Sequence, residues 1–403
     1  MEVNIGKLDN QGRGICYVED KITFVPNTLP SEKVDIKITK KSKKYNEAKV
    51  VNYISKSKKR IDPVCPYFDI CGGCEFLNSS YEDTLSFKKE KLESILSKYA
   101  SINTNVDIIP CDNNLNYRNK VTLKVIDGKY GYYASNTHNL IEIDKCYLAS
   151  DSINKFIKDI NHLNIKDGEV IIRSNYNDEL LIWIKTTDKI KVDIEYLKNK
   201  HKIVGFILNN KSINGDNKFV EIINNKLFQV SYDSFFQVNR NICSKLFNLI
   251  ESEIEDNSTI LDLYCGVGTL GINVAHKCNK VYGIEIIKNA ILNCVTNSKI
   301  NHLDNTYYLL GDVSKCLSQI KDKIDTVIVD PPRAGLDDKT IKAIIDFNPN
   351  KIIYVSCDPM TLARDLKKLN ASYEVKTIKG LDMFPYTHHI ETVSVLCRKT
   401  IEK

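Results

Sequence analysis

The sequence predicts an α/β protein: a doubly wound, mostly parallel sheet toward the C-terminus, preceded by a small β-barrel and a central α+β region. Three observations predict it. From about residue 231, strand-like and helix-like stretches alternate, the pattern that builds parallel sheets. Residues 1 to about 58 hold short alternating segments separated by Gly, Pro and Asn turns. Between these regions, a cluster of cysteines opens a stretch of mixed helix and strand patterns. The expected domains are 1–58, 59–230 and 231–403.

The barrel segments are GICYVED, KITFVPN, KVDIKITKK and YNEAKVVNYIS. In the central region, YEDTLSFKKEKLESILSKY has Leu85, Leu92, Ile95 and Leu96 near one helical stripe. The pieces KVTLKVIDGKYGYYA and EVIIRSNYNDELLIWIKTT follow as strands. The C-terminal strands are TILDL, KVYGIE, TYYLL, DTVIVD, IIYVS and ETVSVLC. Among the helices between them, IKNAILNCVTNSKI puts Ile287, Ala290, Ile291, Cys294 and Val295 on one expected core face.

Hydrophobic residues at 42% and charged residues at 27% fit a soluble globular chain of two or three domains. No stretch approaches the roughly 18–20 apolar residues that span a bilayer, and no signal peptide pattern is visible. A cytoplasmic protein with no membrane association is expected. In that reducing compartment, 13 cysteines point to metal or catalysis where they cluster. Scattered ones, such as Cys16, Cys243, Cys278 and Cys294, read as core filler. The net charge of +6 permits an anionic partner. Lys37 to Arg60 holds ten basic residues and one acidic one, Glu47. On a small barrel of the oligonucleotide-binding type, this run suits RNA, although charge runs are also ordinary solvated faces. No obligate protein partner is evident.

In LDLYCGVGTLG, a strand ends at Leu263 and the turn Gly266-x-Gly268 opens a helix. Alone, such a turn serves NAD, another nucleotide, or nothing. The next strand ends at Glu285, about 20 residues on, where a carboxylate can accept both ribose hydroxyls. The full dinucleotide fingerprint is missing, so a compact mononucleoside fits better, with S-adenosylmethionine the leading candidate. Asp312 would lie near its adenine. In IVDPPRAGL, Asp330 ends a further strand on the same sheet edge. Cys357, in IIYVSCDPMTLARDL, sits on a strand-to-helix turn, where Pro359 bars a continuing strand and MTLARDLKKL reads as helical. A small buried thiol is the ordinary alternative. The chemistry that unites these residues is methylation at C5 of a uracil. A thiolate adding at C6 makes C5 nucleophilic, and a base later removes the C5 proton. Glu391, entering the last strand, is favoured as that base over His388 and His389.

These stretches resemble the bacterial RNA (uracil-5-)-methyltransferases. FFQVN at Phe235 to Asn239, LDLYCGVGTLG, VYGIE, DPPRAGL, YVSCDPMTLARD and DMFPYTHHIETV occur in that family's order along essentially the whole chain. The resemblance implies a Rossmann-like S-adenosylmethionine-dependent methyltransferase domain, with Cys357 as nucleophile and Glu391 as base. It also implies Gln237, Tyr264, Glu285 and Asp330 as donor contacts beside the Gly266 turn. A paired uridine would have to be flipped from its stack.

A second cysteine site stands apart. Cys65, Cys71 and Cys74 are spaced C-x5-C-x2-C, with Cys146 the best fourth ligand and Cys111 its rival. Zinc sites usually pair two short hooks, whereas a 3+1 arrangement suits a four-iron cluster as well or better. The same pattern marks the 23S rRNA branch of the resembled family. That branch carries an N-terminal TRAM barrel and a [4Fe-4S] cluster, here implied on Cys65, Cys71, Cys74 and Cys146. The expectation is C5 methylation of a uridine in 23S rRNA. The alternatives are tRNA as substrate, or a non-catalytic iron–sulfur RNA-binding protein.

Overall fold

The computed structural model describes residues 1–135 and 137–400; residues 401–403, the end of the expected C-terminal domain, lie outside it. Alternation of Val34 and Ile36 with polar neighbours makes Lys33–Lys41 a strand with one face inward. It pairs with Glu2–Asn4 and Asn46–Ser55. The hairpin Gly14–Val18/Lys21–Val25 completes a five-stranded sheet. The Gly6 N–H donates to the Ile15 carbonyl at 2.9 Å, drawing the two outer strands together. The sheet encloses its own small core of Val3, Ile5, Cys16, Val25, Val34 and Ile36. Its exit is pinned where Arg60 Nε donates to the buried Glu32 carboxylate at 2.5 Å.

The central region forms a seven-stranded sheet running spatially from Lys211–Gly215 to Leu140–Glu142. The helix Asp151–Lys158 packs on it through Ile153, Phe156 and Ile157.

The C-terminal sheet has eight strands. In spatial order they are Thr306–Leu310, Cys278–Glu285, Ser258–Leu263, Thr326–Val329, Lys351–Ser356, Glu391–Arg398, Tyr373–Leu381 and Asp107–Ile109. The first five are parallel. The chain builds outward from Ser258–Leu263 to one side and then restarts on the other, which leaves a crevice at the carboxyl ends beside that strand. Glu391–Arg398 returns antiparallel to Lys351–Ser356.

Two expectations are corrected. Helix Tyr81–Ile95 and strand Asp107–Ile109 fall within the expected 59–230 unit, yet they pack on the C-terminal sheet. Leu92, Ile95 and Leu96 share a core with Leu362 and Leu366, and Asp107–Ile109 pairs with Tyr373–Leu381, a strand the pattern reading did not anticipate. Leu85 is only half-buried, while Thr84 and Lys88 are buried with Leu92 and Ile95. The second correction concerns helix Lys288–Ile300, which buries only part of the expected apolar stripe: Ala290 and Cys294 are buried and Ile291 is half-buried. Ile287 and Val295 are 60% and 40% exposed. Its inward face is an asparagine ladder against the strand Lys226–Ser231. The Leu227 N–H donates to Asn301 Oδ1 at 2.9 Å, the Gln229 N–H donates to Asn297 Oδ1 at 2.7 Å, and Ser231 Oγ donates to Asn293 Oδ1 at 3.2 Å. Four helical residues rise ~6 Å and two strand residues ~6.7 Å, so one asparagine per turn meets every second strand residue. Among the described residues, no helix is long and apolar enough to cross a membrane.

Candidate active site

The strand Ser258–Leu263 is buried throughout and ends in three left-handed residues: Tyr264 at φ 62°, Gly266 at 55° and Gly268 at 85°. A tyrosine in this region is strained backbone, of the kind concentrated at ligand sites. At Gly266 nothing lies within 4 Å of where a Cβ would stand, so its surroundings are open. The Gly266 N–H donates to Glu285 Oε2 at 3.1 Å, and the Ile287 N–H donates to Oε1 at 2.9 Å. Glu285 is therefore held at its strand tip by the glycine turn. Asp312 follows the adjacent strand, where Ser314 Oγ donates to it at 2.6 Å. Gln237, Asp262, Tyr264, Gly266 and Asp330 line one cleft at this edge, with Phe235 at its rim.

Asp262 was not anticipated. It lies in the buried strand, and its Oδ2 accepts the Gly271 N–H at 2.9 Å. Its Oδ1 has no partner, and burial pushes the carboxyl up to about 8. An acid inside an otherwise apolar strand, LDL, was the available signal.

Cys357 directly follows strand Lys351–Ser356. The next helix starts behind Asp358, whose Oδ1 accepts the Met360 and Thr361 N–H groups at 2.9 Å each. Ser356 pairs with Thr392 in the antiparallel register. Cys357 follows Ser356 and Glu391 precedes Thr392, so the two lie at adjoining strand ends, where the Glu391 carboxylate acts on the Cys357 thiol. Glu391 is 2% exposed. Burial, and then the neighbouring Asp330, raises its carboxyl well above the usual range, with Arg333 opposing. Burial raises Asp330 to about 7. The Cys357 thiol is pushed up to about 11 by burial and by the Glu391 and Asp330 carboxylates, again with Arg333 opposing. These four groups thus share one electrostatic environment at the end of the cleft.

The rival histidines are placed differently. The His388 N–H donates to Glu75 Oε2 at 3.0 Å, and its ring Nδ1 lies 3.2 Å from the other oxygen. Burial, His388 and Arg333 depress His389 to about 3, too weak a base for a carbon-bound proton.

Cys65, Cys71, Cys74 and Cys146 all line a single separate cavity of about 230 Å³, together with Arg118 and Tyr132. Cys111 is elsewhere, buried against Asn239. Among the described residues, no three His, Cys, Asp or Glu side chains converge tightly enough to hold one metal ion. The cavity is more than ten times the ~10–15 Å³ that one water needs, so it has room for more than a single water. Burial raises Cys71 and Cys74, and the Arg118 guanidinium beside both works the other way. Arg118 carries no motif signal in the sequence.

Known proteins match this geometry. The family described as tRNA (Uracil-5-)-methyltransferase matches residues 80–399, and the TRAM domain matches residues 1–51. An uncharacterized RNA methyltransferase of Clostridium acetobutylicum is 33% identical, over 98% of this chain and 96% of the relative. One from Clostridium tetani is 30% identical, over 96% and 94%. The structure of Pyrococcus abyssi tRNA (uracil-54, C5)-methyltransferase in complex with S-adenosyl-L-homocysteine shares the fold. It has a TM-score of 0.83 over 98% of this chain and 99% of that one, at 24% identity. The chain therefore belongs to the tRNA (uracil-5-)-methyltransferase family and is an RNA (uracil-5-)-methyltransferase with an N-terminal TRAM domain.

Proposed function

We propose that this enzyme methylates C5 of a uridine in 23S rRNA, with Cys357 as nucleophile and Glu391 as base. The observation that supports this reading is that Cys357 and Glu391 lie at adjoining strand ends and that the Glu391 and Asp330 carboxylates both act on the Cys357 thiol. Cys357 Sγ loses its proton to solvent and adds to C6 of the uracil as the thiolate. The C5=C6 electrons move into the ring as an enolate, and C5 becomes nucleophilic. Bound S-adenosylmethionine would supply an electrophilic methyl group at C5. Gln237, Tyr264, Gly266 and Asp330, which line the cleft, and Glu285, held beside Gly266, would hold it. Glu391 then takes the C5 proton, the C6–S bond breaks, and the thiolate leaves. A carboxylate of raised pKa is a stronger base than an ordinary one, which suits this proton.

The four cysteines around one cavity fit a [4Fe-4S] cluster better than a single ion. Such a group would supply a rigid cross-link between the Cys65–Cys74 segment and Cys146, since the methylation needs no electrons. In this reading residues 1–58 grip RNA, the seven-stranded sheet and the cysteine centre shape it, and the eight-stranded sheet carries the chemistry. The cysteine set together with the TRAM domain favours rRNA. A second reading, tRNA, is favoured by the fold of the archaeal enzyme that acts on tRNA.

The test is transfer of labelled methyl from S-adenosylmethionine to unmodified 23S rRNA and, in parallel, to total tRNA. 5-Methyluridine in rRNA alone is expected. Labelling of tRNA alone overturns the rRNA assignment, and labelling of neither overturns the activity. Glu391→Gln should accumulate a covalent RNA adduct; free release of methylated RNA would remove Glu391 from the base role.

A further inference from the structure

We propose that Glu75 is a positioning residue that couples the four-cysteine centre to the segment presenting Glu391. This inference rests on the base role of Glu391 given above. Residues 382–390 connect strand Tyr373–Leu381 to Glu391, and they are held both from helix Tyr81–Ile95 and from residues beside the cysteine centre. The Glu75 and Phe76 N–H groups both donate to the Tyr386 carbonyl at 3.1 Å. Glu75 Oε2 accepts the His388 N–H at 3.0 Å. Lys91 Nζ donates to the His388 carbonyl at 2.8 Å, Lys88 Nζ to the Phe384 carbonyl at 2.9 Å, and Tyr117 Oη to the Pro385 carbonyl at 3.2 Å. Tyr386 itself sits at φ 60°, a strained geometry that its surroundings must hold.

Glu75 is the residue after Cys74, and His388 is three residues before Glu391. One side chain thus bridges the two sites, gripping the segment by backbone at Tyr386 and by carboxylate at His388. Cys357 is carried on a different strand and receives none of these bonds. Disturbing Glu75 should therefore impair the late step, proton removal by Glu391, and spare the early step, attack by Cys357. Misplacing a reacting group by about 1 Å can cost ~100-fold in rate.

The experiment uses the full chain purified anaerobically as wild type, Glu75→Ala, Glu75→Gln and Glu391→Gln. It reads iron content, visible absorbance, kcat and KM for RNA, and covalent RNA–protein adduct on denaturing gels. The expected result is that E75A keeps wild-type iron and absorbance and nearly unchanged KM. Its kcat falls about 10- to 100-fold, and it accumulates methylated adduct as E391Q does. E75Q recovers near wild-type turnover, because its amide oxygen still accepts the His388 N–H. If E75A is not recovered folded, Glu75→Asp, one methylene shorter, should show the same adduct. Wild-type release of methylated RNA by E75A or E75D overturns the proposal, as does loss of iron without adduct. Adduct from E391Q with none from E75A overturns the coupling alone. Absence of adduct from E391Q overturns the base assignment and the coupling with it.

Discussion

Cys357 is the group whose chemistry the structure constrains most sharply. Burial and the Glu391 and Asp330 carboxylates raise its thiol from 9.0 to about 11. Two units make the thiolate ~100-fold rarer than at an ordinary cysteine of that starting value. A more basic thiolate is also more nucleophilic, with a Brønsted coefficient of about 0.4–0.5, which returns roughly tenfold. The net expectation is alkylation about tenfold slower than at an unperturbed cysteine, before any limit on reagent access. The rate should rise tenfold per pH unit from pH 7 to about 10, because the thiolate fraction does. Iodoacetamide labelling of RNA-free enzyme, quantified on the Cys357 peptide by mass spectrometry, measures both quantities. A labelling rate that levels off at or below pH 8 would refute this electrostatic picture and would mean that the free site already holds a thiolate. The expected slope instead implies that the thiol loses its proton only as the uracil is attacked.

Asp262 is raised from 3.8 to about 8, so the folded state binds its proton more tightly than the unfolded chain does. Its stabilising contribution is complete below pH 3.8 and is lost as pH rises through 8. Melting temperatures of Asp262→Asn should therefore fall less than wild type between pH 5 and 8.5, and parallel curves would contradict this. Lys88 is fully buried, donating to Asp382, which also accepts the Tyr81 hydroxyl at 2.7 Å. Lys88→Met strands a buried carboxylate and should cost about 3–5 kcal/mol in chemical denaturation. Recovery of part of that loss by adding Asp382→Leu would confirm the cause. Asn297 exchanges bonds with Gln229 and donates to the Val267 carbonyl at 2.9 Å. Asn297→Ala should lose about 2–4 kcal/mol in urea unfolding, since its buried partners keep no substitute.

The alternation of strands and helices, the glycine turn, the DPPRAG and SCDP segments and the three-cysteine cluster are local patterns. A neighbour in sequence decides each of them, so they could be read without coordinates. Period-2 alternation, a helix cap at Asp358 and a left-handed glycine leave their marks within a few residues. Patterns failed where the partner was distant. The helix Lys288–Ile300 reads as apolar on one face, yet a strand edge with unsatisfied backbone groups claims its asparagines, and its Ile287 and Val295 are left outside. Lys88 reads as a solvated lysine until Asp382 is brought beside it, 294 residues away.

The same division holds at the site. The sequence by itself determined which chemistry the chain can perform, because a thiol, a carboxylate and a glycine turn at strand ends are properties of residue type and local spacing. Only the tertiary structure decided that Cys357 and Glu391 end adjoining strands, that His388 is taken up by Glu75, and that Cys146 rather than Cys111 joins the other three cysteines around one cavity. Register and long-range packing set those choices, and both arise from contacts between segments that no local pattern records.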